Sequence, residues 1–336
     1  MTTIAVDAMG GDNAPRAVVQ GAVRAASDFG ANVILVGPEG TIRGLLGRAT
    51  DRVSIACANE TIGFDEPPVQ AIRKKKDSTT VVGMQLVKEG KADAFVSAGS
   101  TGALLAGGLI ILGRIKGIDR PALSVIIPGL SGKPFLMLDV GANTDVRPQN
   151  LVEFALMGRV YSERVLGVTN PRVGLINIGS EESKGNELTK QAYGLLKQSA
   201  INFAGNVEAR DVFAGACDVA VCDGFVGNVL LKNIEGLARA IFAMIKEEVS
   251  RDLRSKAGAL ILKPYLKKVA ARMDYSEYGG APLLGLALPC IKCHGSSGSD
   301  AIRNGIGTAL RFVESKAQDL IGEALTQETN SSGERN

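Results

Sequence analysis

The chain has 336 residues, and its composition excludes several classes of protein before any motif is considered. A net charge of +3 and an aromatic content of 4%, with no Trp, disfavour a nucleic-acid-binding surface. The five cysteines are typical of a reducing compartment, and the longest apolar stretch, 103–112, is too short to span a bilayer. We therefore expect a cytoplasmic α/β protein with a sizeable core.

Strands, polar loops and helices alternate along the chain, which predicts a largely parallel sheet. Residues 3–6 are predicted to form the first strand, followed by a helix that ends at Phe29. The further strands are predicted, in order, at 32–36, 53–57, 94–97, 123–127, 135–139, 173–178, 219–222 and 290–292. The connection 128–134 is too short for a crossover helix, so the strands on either side of it should be antiparallel and the sheet mixed.

Long helices replace this alternation between Asn228 and Arg272. Apolar residues recur at helical spacing over 230–249, which is typical of a core or dimer stripe. Apolar residues over 260–269 lie among lysines and arginines, a pattern that fits a membrane surface, an acidic protein or, equally, dimer packing. No linker divides the chain. We expect one domain over 1–325, with 229–272 serving dimer or membrane contact, and a disordered tail over 326–336.

Most of the predicted strands end in loops rich in Gly, Ser, Asn and Asp. In an open α/β sheet such loops form the ligand crevice, and glycines beside a helix N-terminus expose N–H groups to an anion. The loops 179–186 and 223–228 have this composition, and the first also carries a cation, Lys184. None has the residue order of a Walker or Rossmann fingerprint. The sequence therefore predicts a phosphate-binding crevice.

The only histidine, His294, precedes a loop of small residues, and we expect it in the active site. A catalytic triad with Ser296 or Ser297 is conceivable, but no G-x-S-x-G motif is present, so covalent serine catalysis is disfavoured. Cys290 and Cys293 form a C-x-x-C pair without a second pair to complete a zinc site. We expect no metal and no cofactor.

Seven motifs follow one another in an order that resembles a known family. They are V-D-A-M-G-G-D (6–12), S-A-G-S-T-G-A (97–103), D-V-G-A-N (139–143), N-I-G-S-E-E-S-K-G-N-E (177–187), D-G-F-V-G-N (223–228), Y-G-G-A-P-L-L-G (278–285) and H-G-S-S (294–297). Over about residues 3–320 the chain resembles the acyl-carrier-protein:phosphate acyltransferases of bacterial phospholipid synthesis, the PlsX family. It departs from the family pattern at 286–290 and Cys293, which argues against a required thiol.

The resemblance implies transfer of a long-chain fatty acyl group from acyl carrier protein to inorganic phosphate, giving acyl phosphate for phosphatidic acid synthesis. It implies a three-layer α/β/α sandwich with a mixed, mostly parallel sheet and two intertwined subdomains, similar to the isocitrate and isopropylmalate dehydrogenases. The implied partners are acyl carrier protein, phosphate and a second copy of the chain. A peripheral contact at the inner face of the cell membrane, with handover to a membrane glycerol-3-phosphate acyltransferase, completes the expected set.

Direct attack of phosphate on the thioester is the expected mechanism, because phosphate is already largely dianionic near neutral pH. The predicted catalytic residues are Lys184, Asn228 and His294, of which Lys184 would hold phosphate and the other two would orient it or donate to the oxyanion. The predicted substrate-binding residues are Asp7, Gly10, Gly99, Ser100, Thr101, Asn143, Gly179, Ser180, Asp223, Gly224, Ser296 and Ser297. The candidates for an apolar slot for the acyl chain are Leu104, Leu105, Leu109 and 283–286.

Other functions share some of these features. A phosphotransacetylase that acts on a short acyl-coenzyme A would use the same phosphate loops, and the acyl donor distinguishes it. A non-enzymatic scaffold for acyl carriers or membranes would rest on the basic, apolar segment 251–272, but it has no use for a phosphate crevice. The hypothesis that the protein is an NAD-dependent dehydrogenase rests on analogy of fold alone.

Overall fold

The computed structural model describes residues 1–47, 51–130, 132–273 and 279–333. The strands are β1 (Thr3–Asp7), β2 (Asn32–Gly37), β3 (Val53–Cys57), β4 (Ala94–Ser97), β5 (Ala122–Ile127), β6 (Phe135–Leu138), β7 (Val173–Asn177), β8 (Phe203–Glu208), β9 (Val219–Val221), β10 (Ala281–Leu284) and β11 (Cys290–Lys292). The helices are α1 (Arg16–Phe29), α2 (Glu39–Leu46), α3 (Pro68–Lys74), α4 (Thr79–Lys88), α5 (Thr101–Gly107), which continues as a π-helical turn (Gly108–Leu112), α6 (Pro148–Arg164), α7 (Glu187–Gln198), α8 (Ala209–Val212), α9 (Gly224–Val249), α10 (Leu253–Met273), α11 (Ser299–Glu314) and α12 (Ala317–Gly333).

The described strands form one sheet in the order β3-β2-β1-β4-β11-β10-β5-β6-β9-β7-β8. The pairings of β10 with β11, of β10 with β5 and of β5 with β6 are antiparallel, and the other neighbouring strands are parallel. Strands β1 to β5 and β11 therefore run in one direction, and β6 to β10 run in the other. The predicted mixed, mostly parallel sheet and its antiparallel hairpin are confirmed.

Helices cover both faces of this sheet, and alternate residues of each strand supply the two apolar cores. Ile4 and Val6 of β1 point to the core that contains α1, α6 and α11, whereas Ala5 points to the core that contains α4 and α5. All three are buried, as expected for strands covered on both faces. This arrangement is the three-layer α/β/α sandwich expected from the sequence.

The C-terminal segment differs from the sequence expectation. Helix α12 continues to Gly333, where a disordered tail from residue 326 was expected, and 334–336 lie outside the described residues. The first turns of α12 pack against α6 and bury Ile321 and Leu325, so the helix begins on the core. Tyr278, the first residue of the motif 278–285, also lies outside the described residues.

The short strands at the centre of the sheet position the candidate site. Lys292 at the end of β11 pairs with Ala281, two positions before Leu283, which pairs with Leu123. The backbone of Val140, just after β6, donates to Leu123 O. At about 3.3 Å per residue, Lys292 at the end of β11 and Val140 just after β6 are therefore roughly 7 Å apart along the strands, although the two strands run in opposite directions. Loops from both halves of the sheet can line one cavity.

Candidate active site

A cavity of about 470 Å³ lies over the centre of the sheet, under the first half of α9. Helix α9 contributes side chains at helical spacing, namely Asn228, Leu231, Lys232 and Glu235. The apolar part of the lining includes Leu123, Val125, Val140, Leu231 and Ala281. The polar part includes Asp12, Thr101, Lys292, His294 and Ser297. The lining of the cavity thus combines apolar side chains with polar and charged ones of both signs, the character expected of a site for an amphipathic ligand.

The start of α9 is fixed by caps and close backbone contacts. Asp223 caps the helix, because its Oδ1 accepts from the N–H groups of Phe225 at 3.0 Å and Val226 at 2.9 Å. Gly224 N donates to Asn143 O at 2.8 Å. A Cβ placed on Gly227 would lie 1.9 Å from Asp139 O, so only glycine allows this approach. Asp223 and Gly224 therefore position α9 and with it Asn228.

The loop after β6 is built around the buried carboxylate of Asp139. It accepts from the backbone N–H groups of Gly141, Ala142 and Asn143 at 3.1, 2.9 and 2.7 Å. The Asn143 side chain donates to the same carboxylate at 2.8 Å and to Pro121 O at 2.7 Å. Asn143, predicted to bind substrate, is thus buried in the turn, whereas Gly141 lines the cavity.

A second buried carboxylate, Asp7, joins the loops after β1 and β4. Ser97 Oγ donates to Asp7 Oδ2 at 2.7 Å and accepts from Gly99 N at 2.9 Å. A Cβ on Gly10 would lie 2.5 Å from Asp7 Oδ2, so Gly10 allows the loops to meet. Burial raises the pKa of Asp7, although the hydrogen bond from Ser97 opposes the shift. Asp7, Gly10 and Gly99 hold the loops together and do not line the cavity in the described structure.

The loop 98–101 presents the start of α5 to the cavity. Ser100 caps α5, since its Oγ accepts from Ala103 N at 3.4 Å. Thr101 lines the cavity beside it. The predicted binding residues on this loop therefore divide into a capping residue and a lining residue.

His294 lines the cavity, and the hydrogen bonds of its ring indicate which nitrogen carries the proton. Its Nδ1 accepts the backbone N–H of Ser296 at 3.2 Å and lies 2.8 Å from Ser296 Oγ. A nitrogen that accepts carries no proton, so the neutral ring has its proton on Nε2. Burial lowers the pKa of His294, and the nearby ammonium of Lys232 adds to this shift. The ring is therefore neutral at pH 7 and can act as an N–H donor.

The loop that follows His294 is held by the start of the chain. Asn13 Nδ2 donates to Ser296 O at 3.0 Å and to Ser297 O at 3.3 Å, and Asp12 N donates to Gly295 O at 2.8 Å. Ser296 is exposed, whereas Ser297 is buried and lines the cavity. The two predicted serines thus differ in their access to a ligand.

The structure brings two lysines to the cavity that the sequence analysis did not select. Lys292 ends β11 and is only 8% exposed, and Lys232 lies on α9, where its Nζ is 2.9 Å from Glu235 Oε2. Arg239 approaches the same carboxylate at 3.6 Å. A lysine at the end of a buried strand, two residues before the only histidine, is the signal that could have identified Lys292.

The loop after β7 does not line this cavity in the described structure. Lys184 and Ser180 are exposed, and a Cβ on Gly179 would lie 3.1 Å from Lys184 Cγ, so the lysine stem folds over its own loop. Strand β7 is the parallel neighbour of β9, so this loop leaves the same sheet edge as the loop that carries Asn228. Asn228 and His294 share the cavity, whereas Gly179, Ser180 and Lys184 lie outside its lining.

The apolar floor also differs from the sequence expectation. Leu104, Leu283, Leu284 and Leu286 are buried in the cores. Leu105 and Leu109 line a separate cleft of about 650 Å³ that includes Arg114, Asp119, Arg120 and Asn143. The floor of the candidate active site is instead formed by residues of β5, the loop after β6 and α9. The difference arises because β10 and α5 turn their leucines into the packed interior.

Solved structures of other proteins share the fold of this chain. A phosphotransacetylase from Streptococcus pyogenes superposes with a TM-score of 0.62 over 93% of this chain and 94% of its own, at 20% identity. A 4-hydroxythreonine-4-phosphate dehydrogenase from Klebsiella pneumoniae gives 0.53 over 93% of this chain and 100% of its own, at 15% identity. Such low identities show the fold alone, which is the α/β fold related to the dehydrogenases that the resemblance implied.

Sequence comparison identifies the family. The family model described as fatty acid synthesis protein matches residues 2–319, and the chain belongs to this family. The phosphate acyltransferase of Desulfitobacterium hafniense is 55% identical over 98% of this chain and 99% of the relative. That of Clostridium acetobutylicum is 53% identical over 96% of this chain and 99% of the relative. The chain is thus an acyltransferase, and the alternative of a non-enzymatic scaffold is wrong.

Proposed function

We propose that the protein transfers a long-chain fatty acyl group from acyl carrier protein to inorganic phosphate and so forms acyl phosphate for phosphatidic acid synthesis. The observation that carries the proposal is the cavity under α9, whose lining combines apolar side chains with the polar residues His294, Asn228 and Thr101. The names of the phosphate acyltransferase relatives support phosphate as the acceptor.

The proposed reaction needs no covalent enzyme intermediate. A hydrogen phosphate oxygen bonds to the thioester carbonyl carbon, the carbon–sulfur bond breaks, and the proton of the phosphate passes to the leaving thiol. Bringing the two substrates together in one cavity supplies ~7–11 kcal/mol of the barrier reduction. One well-placed donor to the developing oxyanion supplies a further ~2.7–4 kcal/mol.

His294 is the proposed donor to the oxyanion. Its neutral ring carries the proton on Nε2, because Nδ1 accepts from Ser296 N. A donor fixed by its loop needs no reorganisation as negative charge develops on the thioester oxygen. Asn228, which lines the same cavity next to Gly141, is proposed to orient the phosphate.

Lys184 is proposed as an outer cation that attracts phosphate, together with the N–H groups near Gly179 and Ser180. Its exposed position limits it to a long-range, salt-sensitive role, because water screens an exposed charge. The supporting observation is topological: its loop and the Asn228 loop follow parallel neighbouring strands and leave the same sheet edge.

We also propose that α9 and α10 form the homodimer contact and a peripheral contact with the cytoplasmic face of the membrane. Exposed apolar side chains on both helices support this, including Leu237 (57%), Met244 (58%), Leu260 (72%) and Ile261 (74%). Among the described helices, none combines the length and apolar character that crossing a membrane requires. The proposed association is therefore a contact with the membrane surface. From there the protein would hand acyl phosphate over to a membrane glycerol-3-phosphate acyltransferase.

One assay tests the reaction. The purified chain is incubated with long-chain acyl carrier protein, with and without phosphate, and the products are examined for acyl phosphate and free carrier thiol. We expect both products to appear only with phosphate. Parallel reactions with acetyl-coenzyme A test the phosphotransacetylase alternative. Turnover of acetyl-coenzyme A without turnover of the acyl carrier substrate would overturn the proposal.

A further inference from the structure

Lys292 is a buried cation in the wall of the cavity, and its partners are backbone carbonyls. The ammonium donates to Ala98 O at 3.3 Å and to Cys293 O. These carbonyls follow β4 and β11, so the lysine lies where two adjacent parallel strands end. An ammonium has three N–H donors, and the two carbonyls accept two of them.

No carboxylate of the described residues forms an ion pair with Lys292. Its titratable and charged surroundings are Asp7 and Asp12 from β1 and its loop, Lys232 from α9, and its neighbours Cys293 and His294. A buried charge without an ion-pair partner is costly, and it is usually retained where a ligand supplies the opposite charge. Burial lowers the pKa of Lys292 to about 8, and the ammonium of Lys232 contributes to this shift.

We propose that Lys292 binds the attacking phosphate in the cavity and that it, rather than Lys184, is the principal phosphate-binding residue. This inference rests on the proposed function. Lys292 lines the same cavity as His294 and Thr101, whereas Lys184 lies outside the lining. The third N–H of its ammonium serves a phosphate oxygen while the two carbonyls hold the side chain in place. Lys232 also lines the cavity from α9, where its ammonium pairs with Glu235.

The proposal predicts a dependence on pH with a definite sign. Below a pH of about 8 the ammonium is charged and binds the phosphate dianion. As pH rises through that value the amine loses its proton, so the KM for phosphate rises. Bound phosphate favours the charged amine, so the rate measured at saturating phosphate should fall only at a higher pH. In Lys292→Arg the guanidinium keeps its charge, and the rise should disappear.

The first experiment compares wild type, Lys292→Met and Lys292→Arg in steady-state kinetics with long-chain acyl carrier protein and phosphate. For Lys292→Met we expect the KM for phosphate to rise by about tenfold or more, because the variant loses one hydrogen bond between charged groups. The KM for the acyl carrier should stay within about twofold, because phosphate is the ligand proposed here. Lys190→Met, which removes an exposed lysine from α7, is the matched control and should keep both constants.

The second experiment measures the thermal midpoint with phosphate alone, so that it does not depend on the acyl donor. Phosphate should raise the midpoint of wild type and Lys190→Met but not of Lys292→Met. Because Met removes a buried charge at similar volume, the variant should fold, and circular dichroism checks this. Failure of wild type to form acyl phosphate would overturn the proposed function. Unchanged phosphate constants and an unchanged thermal shift in Lys292→Met would overturn this inference alone.

A third outcome also contradicts the inference. The phosphodiester of the carrier's pantetheine arm has the same chemistry as phosphate. If Lys292→Met raises the KM for the acyl carrier and leaves the KM for phosphate unchanged, the lysine binds that arm and not the nucleophile. A phosphate KM that still rises through a pH of about 8 in Lys292→Arg would likewise exclude titration of Lys292 as its cause.

Discussion

His294 Nδ1 accepts the backbone N–H of Ser296 at 3.2 Å, so the neutral ring presents an N–H at Nε2. We expect His294→Ala to lower kcat by about 100-fold or more, the usual effect of removing one oxyanion donor. Ser296→Ala keeps the backbone N–H that orients the ring and should lower kcat by less than about tenfold. Steady-state kinetics of the two variants check this. Equal losses in both variants would show that the Ser296 hydroxyl is as necessary as the ring, and that the backbone N–H alone does not orient it.

The lowered pKa of His294 gives this prediction a pH dependence. At acid pH the ring takes a second proton on Nδ1, which can then no longer accept from Ser296 N. Since burial favours the neutral ring, this loss should occur below the ordinary histidine pKa of about 6.5. The acid limb of kcat/KM should therefore lie below that pH and should vanish in His294→Gln, which keeps a donor without titrating. An acid limb that persists in His294→Gln would assign it to another group.

Asn228 and Lys184 should respond differently to substitution. Asn228 lines the cavity, so Asn228→Ala should lower kcat by about 100-fold through loss of a positioned polar group. Lys184 is exposed, and a surface charge contributes up to about 1 kcal/mol, so Lys184→Ala should raise the KM for phosphate by about fivefold or less. Repeating the measurement at high ionic strength should remove that difference. A kcat defect in Lys184→Ala as large as that of Asn228→Ala would place Lys184 at the reacting atoms.

Sequence patterns found the elements whose signals are local. The β-branched run at 173–177 and the glycine-rich loop before α9 are complete within a few residues, and the structure has a strand and a helix start there. Strand β10 has no such signal, because Ala281–Leu284 is short and contains Pro282. This strand forms because it pairs with two antiparallel neighbours, β11 and β5, and β5 is distant in the chain. Propensity does not describe pairing of this kind.

The same reason explains why the sequence analysis selected Lys184 and not Lys292, which lines the cavity. Lys184 lies in a loop of the composition that sequence rules associate with phosphate, whereas Lys292 is the last residue of a short apolar strand. Its burial depends on the insertion of β10 beside β11 and on α9 lying over the sheet. Both are non-local. The motif at 139–143 shows the converse, because its residues are clear in the sequence but mainly build the turn around Asp139.

The apolar surface of α10 gives a prediction about association. Replacing Leu260 and Ile261 together with Ser should weaken binding to anionic lipid vesicles by about tenfold or more, because each buried side chain of this size contributes about 1.5–3 kcal/mol. Vesicle sedimentation measures this. Leu130→Ser is the matched control, since Leu130 is 78% exposed on the loop between β5 and β6. Unchanged sedimentation with a shift from dimer to monomer in light scattering would assign the surface to the dimer alone, and no change in either would contradict both proposals.

The close contact of α9 with the loop after β6 gives a prediction about stability. A Cβ on Gly227 would lie 1.9 Å from Asp139 O, and backbone on both sides cannot yield without moving the helix. Gly227→Ala should therefore lower the free energy of unfolding by about 1–3 kcal/mol or more. Gly194 has nothing within 4 Å of such a Cβ in the interior of α7, so Gly194→Ala should raise that free energy by about 0.5–1 kcal/mol.

Urea unfolding of the two glycine variants measures both changes, and an unchanged slope shows that the midpoint reports stability. Gly227→Ala should also lower kcat, because Asn228 is the next residue and moves with the helix, whereas Gly194→Ala should keep the wild-type rate. If Gly227→Ala is as stable and active as wild type, the close contact between Gly227 of α9 and Asp139 O is not what places Asn228 in the cavity. Activity lost without loss of stability would instead mean that the helix shifts as a rigid body and carries its lining residues away from His294.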